Sequence, residues 1–138
     1  MRKRTLAREC ALQVLYQLDI SAEEVGAALA NFWGSQDQEV AQDVKDFSAE
    51  LVKGTRDGLP AIDKEIASFA DNWQLDRMSA VDRNILRLGC YELLSRSDIP
   101  PKVTINEAVD LAKKFSGPEA GKFVNGILDK IKKEKKDS

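Results

Sequence analysis

Lys122, Phe123, Asn125 and Gly126 fall within a single five-residue stretch near the end of the chain. A cation, a ring, an amide and a patch of bare backbone at this spacing suit an unpaired nucleic-acid strand. The ammonium would meet a phosphate, the ring would stack on a base, and the amide would read a base edge. The plainer reading of the same residues puts Phe123 in the core and leaves Lys122 solvated. Periodicity alone does not separate the two.

Little else in the chain offers chemistry. It contains no histidine, which removes the commonest general base, the commonest metal ligand and every Ser-His or Cys-His arrangement. There is no Gly-rich phosphate loop and no paired-carboxylate motif beyond helix surface charge. Cys10 and Cys90 both fall at apolar positions of helical patterns, which fits buried, reduced thiols rather than a disulfide framework or a metal site. Neither catalysis nor a cofactor is expected.

The net charge of −2 conceals an uneven distribution. Residues 1–8 carry Arg2, Lys3, Arg4 and Arg8, a charge of +4; residues 9–112 sum to −10; residues 113–138, with eight lysines, return to +4. Two basic ends flank an acidic body. If they meet in space they form a positive patch that favours a polyanion; otherwise the lysine-rich end is a solvated tail. At 138 residues and 43% hydrophobic, the chain makes one domain, residues 1–138, with a proper core. No apolar run approaches the ~18 residues that span a membrane, and no signal peptide is evident. A cytoplasmic location is expected.

The elements that position these residues read as about seven helices and no strand. Leu6, Ala7, Cys10, Ala11, Val14, Leu15 and Leu18 form an apolar stripe over about Thr5–Ile20. A short helix follows, with Ser21 as its cap and Glu23 and Glu24 in its first turn. The third helix is expected over about Gln38–Arg56 and the fourth after Pro60. The fifth starts at Ser79 and runs to about Arg96; Gly89 within it suggests close helix packing. Asp98, Ile99, Pro100 and Pro101 read as an extended connector. Thr104 and Glu107 have capping-box spacing at the start of the sixth helix, which Lys113 and Lys114 close where the dipole favours cations. Ser116, Gly117 and Pro118 break the chain, and Pro118 suits the first turn of a seventh helix, buried through Val124, Ile127, Leu128 and Ile131. After about Ile131 the lysine run, residues 130–138, reads as frayed. The class is an all-α bundle, with two packed halves meeting near Trp73.

Several segments together resemble the NusB family of bacterial transcription antitermination factors. They are Arg8-Glu9-Cys10-Ala11-Leu12-Gln13 with Leu15-Tyr16, Val81-Asp82-Arg83, Ile85-Leu86-Arg87-Leu88, Tyr91-Glu92-Leu93, Ile99-Pro100, Ile105-Asn106-Glu107-Ala108, Leu111-Ala112-Lys113 and Phe123-Val124-Asn125-Gly126-Ile127-Leu128. Their order and spacing carry the likeness from Arg8 to Leu128. The resemblance implies an all-helical, non-enzymatic protein that binds the boxA element of nascent RNA. It implies action with NusE, a small-subunit ribosomal protein, in an RNA polymerase assembly with other Nus factors. That assembly suppresses premature, including Rho-dependent, termination on ribosomal RNA operons. For RNA contact it points to Arg2, Lys3, Arg4, Arg8, Lys113, Lys114, Glu119, Lys122, Phe123 and Asn125. For NusE contact the matching positions are Tyr16, Ile20, Asp82 and Arg87, of which Arg87 has the alternative of a structural ion pair.

Two rival functions remain. One is a helical adapter that docks a protein without touching RNA. The other is the NusB-like targeting domain of an RNA methyltransferase, for which the chain has neither a Gly-rich cofactor loop nor space for the catalytic fold. A DNA-binding helix-turn-helix fits less well, because no exposed basic helix follows a short turn.

Overall fold

The structure is a computed structural model that describes residues 2–70 and 75–137, with side chains through residue 135. Among the described residues there are seven α-helices and no strand: α1 (Lys3–Ile20), α2 (Val25–Gly34), α3 (Gln42–Asp57), α4 (Leu59–Phe69), α5 (Ala80–Ser95), α6 (Pro101–Phe115) and α7 (Pro118–Asp137). A 3-10 turn at Leu75–Arg77 precedes α5. No helix among the described residues is long and apolar enough to cross a membrane. The expected meeting point of two halves, Trp73, lies outside the described residues.

Helix α5 is the axis of the bundle, since it touches α1, α3, α4, α6 and α7. Its Ile85, Leu86, Leu88 and Cys90 are at most 2% exposed and join one continuous core with Leu15, Leu51, Ile66, Leu128 and Ile131. Gly89 permits the close approach that its position suggested. A Cβ there would stand 2.8 Å from Leu128 Cδ1, itself fully buried. Gly54 of α3 is tighter still, because a Cβ would fall 2.2 Å from the ring of Tyr91. Both cysteines are free and buried, and burial pushes the Cys90 thiol up to about 12, so it stays protonated and inert.

Several helix starts differ from the sequence expectation, each for a local reason. Helix α6 begins at Pro101, one turn before Thr104. Proline's fixed φ and missing N–H suit the first helical position, so the connector ends at Pro100. Thr104 is then an interior residue and caps nothing: its hydroxyl donates to Glu92 Oε1 at 3.1 Å, while Glu107 accepts from Thr5 Oγ1 at 2.7 Å. Helix α2 is capped by Glu24, whose carboxylate accepts from the N–H groups of Gly26 and Ala27; Ser21 instead ends α1. Helix α3 starts at Gln42, four residues later than the periodicity suggested. The Ser79 cap of α5 is as expected, its Oγ accepting from the Asp82 N–H at 3.1 Å. Helix α7 continues past Ile131 to Asp137, with Lys132 and Lys133 both reaching Asp129 at 3.1 Å.

Candidate nucleic-acid interface

The break between α6 and α7 shapes the first part of the site. Gly117 has φ 128°, a left-handed conformation that L side chains rarely adopt. Its N–H and that of Ser116 both donate to Ala112 O at 2.8 Å, closing α6. The chain then turns directly into α7 at Pro118. This brings the start of α7 beside the start of α5, and between them lies a cavity of about 480 Å³. Phe123 forms part of its wall, packed at its base against the core. Glu119 and Asp82 line it too, each in the first turn of its helix, where a carboxylate complements the dipole. Asp82 Oδ1 is buried and has no hydrogen-bond partner among the described residues. Arg77 and Met78, from the 3-10 turn and its exit, complete the groove. Sequence patterns did not single them out, since they belong to a connector whose position only the packing of α4 and α5 sets.

Beside this groove is a second, smaller one of about 280 Å³, lined by Leu12, Gln13, Tyr16, Val81 and Phe115. Val81 and Phe115 are the chain neighbours of Asp82 and Ser116, so the two grooves adjoin. Tyr16 is 40% exposed, Phe115 41% and Ile20 66%. These are large apolar groups left open to solvent, Tyr16 and Ile20 one turn apart at the end of α1 and Phe115 at the end of α6. Phe115 was missed in the sequence because its position at the helix end hides which way it points.

The fourteen residues singled out from the sequence thus separate into groups. Phe123, Glu119 and Asp82 share the larger groove, so residues assigned to RNA and to a partner meet there. Lys122 and Asn125 are exposed on α7 and Lys113 on the last turn of α6. Lys114 is half exposed, and its Nζ lies 2.9 Å from Glu9 Oε2. Tyr16 and Ile20 lie on the adjoining apolar surface. Arg2, Lys3 and Arg4 are exposed but sit at the other end of α1. There Lys3 meets Asp43 at 3.1 Å and the Arg4 guanidinium lies 4.5 Å from the centre of the Phe47 ring.

Two assignments are corrected. Arg8 is 2% exposed and forms a two-pronged pair with Glu92 at 2.7 and 3.0 Å. It is a structural cation and has no surface to offer RNA. Arg87 is 8% exposed; it grips Asp63 at 2.8 and 3.0 Å and Asp19 at 3.0 Å. Of its two readings, the structural ion pair holds. Asp19 also takes Arg83 at 3.3 Å and the Asn84 amide at 2.8 Å, so this hub ties α1, α4 and α5 together. Burial alone would raise the Asp19 carboxyl, but the Asn84 hydrogen bond and the charges of Arg87 and Arg83 outweigh it and hold it below its ordinary value.

A family model described as the NusB family matches residues 5–133. The chain belongs to the NusB family. The transcription antitermination protein NusB of Anaeromyxobacter dehalogenans (strain 2CP-1) is 50% identical over 129 residues, covering 94% of this chain and 89% of that protein. The protein of the same name from Thermodesulfovibrio yellowstonii is 43% identical over 140 residues, covering 96% and 93%. Among solved structures, the antitermination factors NusB and NusE in complex with double-stranded RNA include a similar chain. It has a TM-score of 0.87 at 34% identity, with 97% of this chain and 98% of that one covered. T. maritima NusB gives 0.84 at 36% identity, covering 97% and 92%. These curated relatives carry the name of transcription antitermination proteins, and the all-helical fold expected from the resemblance is the fold observed among the described residues.

Proposed function

We propose that this protein is a transcription antitermination factor that binds boxA-type single-stranded RNA together with NusE, and so suppresses premature, including Rho-dependent, termination on ribosomal RNA operons. The observation that carries the reading is the groove at the α6–α7 break. A ring, two carboxylates and an arginine surround a cavity large enough for a base, with Lys122 exposed beside it. The likeness over nearly the whole chain to a NusB seen with NusE and RNA supports it.

The mechanism is recognition without chemistry. A base stacks on Phe123, and the carboxylates of Asp82 and Glu119 accept from ring or exocyclic N–H groups on its edge. Asn125, exposed three residues on from Lys122 along α7, reads a neighbouring base, and Lys113 and Lys122 meet phosphates. The adjoining apolar surface of Tyr16, Ile20 and Phe115 receives the ribosomal protein, and the carboxylates at the boundary help orient a basic partner. RNA and protein then share one continuous surface, which makes their binding cooperative.

Fluorescence anisotropy of a labelled boxA-type RNA, with and without NusE, tests this. Stacking is worth ~1–3 kcal/mol per base, so Phe123→Ala is expected to weaken binding by about tenfold or more, and NusE to tighten it. Equal binding to boxA and scrambled RNA, unchanged by NusE or by the substitution, would overturn the reading and favour a protein-only adapter.

A further inference from the structure

The opposite end of the bundle holds another groove, of about 520 Å³, between the end of α5, the start of α6 and the last turns of α7. Ile99 and Pro101 form its apolar wall; Arg96, Lys102, Lys132 and Lys135 form its rim, with no carboxylate among the lining residues. Arg96 is engaged by Asp98 at 2.8 Å and by the Glu50 carboxylate. Lys135 Nζ donates to Leu93 O, which holds the last turns of α7 against the end of α5. Among the described residues Lys132 pairs with Asp129, in a partly exposed i,i+3 pair of the kind that contributes little. Lys102 is exposed and has no ion-pair partner among the described residues. The N-terminal cations adjoin this end, because the Arg4 and Arg96 guanidinium groups lie over the same Phe47 ring, at 4.5 and 5.4 Å. The N-terminal cations therefore lie at the same end of the bundle as the lysines of the last turns of α7, away from Phe123.

The face joining the two ends is formed by α6 and α7, which run antiparallel. Gly121 packs against Val109 and Lys113 at one end, and Lys102 and Lys132 line the same groove at the other. Lys102, Asn106 and Lys113 are exposed at helical spacing on α6, as are Lys122, Asn125 and Lys133 on α7. Midway, Gly126 leaves open space where a Cβ would stand, so the backbone there is bare. From Lys102 to Phe115 the helix rise spans ~20 Å, the length of roughly six stacked nucleotides.

We propose that this groove is a second anchor for single-stranded RNA, reached by a strand that leaves the Phe123 groove and crosses the outer face of α6 and α7. The inference rests on the reading that the Phe123 groove takes RNA. Lys102 and Lys132 hold the distal phosphates, a base rests on Ile99 and Pro101, and Asn106 and Asn125 contact the strand between. The four cations at the rim favour a polyanion, and the exposed amides of Asn106 and Asn125 on the way to it, beside the carboxylates of Asp110 and Asp129, favour RNA over an acidic peptide because amides read base edges.

The test compares a labelled RNA of about four nucleotides with one of about twelve sharing the same core, the latter long enough for both anchors. Wild-type protein is expected to prefer the longer RNA. The double variant Lys102→Ala/Lys132→Ala should bind the longer RNA about tenfold more weakly, with a salt slope lower by about 1.4, and bind the short RNA unchanged. Phe123→Ala should weaken both. Wild-type affinity and slope in the lysine variant would overturn the second anchor while leaving the first intact. If Phe123→Ala alters neither RNA, the first-site reading fails, and with it the two-anchor path. Capture of labelled poly-glutamate that depends on Lys102 and Lys132, with RNA binding independent of them, would assign the groove to an acidic protein and also overturn the proposal.

Discussion

Arg8 sits on the buried side of α1, where it holds Glu92 while Thr104 donates to the same carboxylate. Removing one member of such a buried pair leaves the other charge uncompensated. Arg8→Met is therefore expected to cost ~3–5 kcal/mol in urea unfolding, and Arg8→Met/Glu92→Met to recover much of that. Lys122 is the contrasting case: exposed on α7 beside Phe123, it contributes little to the fold. Lys122→Ala should leave the unfolding midpoint unchanged while lowering the salt slope of RNA binding by ~0.7, one phosphate contact on a single strand. The two residues belong to one basic composition, yet only the second has a surface to present.

Among the elements, α3 and α5 approach through Gly54, which lies against the Tyr91 ring. A rigid ring cannot yield as the end of an aliphatic chain can. Gly54→Ala is expected to destabilise by ~1–3 kcal/mol from overpacking, although alanine is the better helix former by ~1 kcal/mol. Adding Tyr91→Ala should remove the clash, so a chemical-denaturation cycle would show the two changes to be non-additive. The start of α6 shows why local patterns misplace boundaries. Thr104 and Glu107 have the spacing of a cap, but Pro101 opens the helix a turn earlier and both residues are drawn to partners on α5 and α1. A capping box and a pair of interior hydrogen-bonding residues look the same until the neighbouring helices are in place.

For the whole molecule, the Asp19 hub sets the response to acid. Its carboxyl is held below the ordinary value in the folded state. The stability it contributes is fully present above the unfolded value of ~3.9 and is lost as pH falls through the lowered folded value. Asp19→Asn should therefore flatten the acid limb of the stability curve below about pH 4 and lower stability at neutral pH, where Arg83 and Arg87 lose their shared anion. Thermal melts across pH would show both effects. Glu65 has the opposite sign: burial and the neighbouring Glu134 carboxyl raise it, so its ionisation opposes folding as pH rises through that raised value. Glu134→Gln should gain stability at neutral pH.

The sequence by itself determined the helical class, the approximate number of helices, the break at Gly117–Pro118, the Ser79 cap and the core stripes, because each follows from the spacing of apolar residues or from the backbone limits of glycine and proline. It also presented Phe123 with Lys122 as a pair worth explaining. Tertiary structure alone decided which cations are available, since Arg8 reads as a surface charge, and Arg87 as either a contact or an ion pair, until carboxylates from other helices enclose them. It alone placed Arg77, Met78 and Asp82 around Phe123, because a groove between two helix starts has no signature in either helix. And it alone brought the N-terminal cations and the last lysines of α7 to one end of the bundle, a separation of more than a hundred residues closed by the packing of α1 on α3 and α5 together with the packing of α5, α6 and α7.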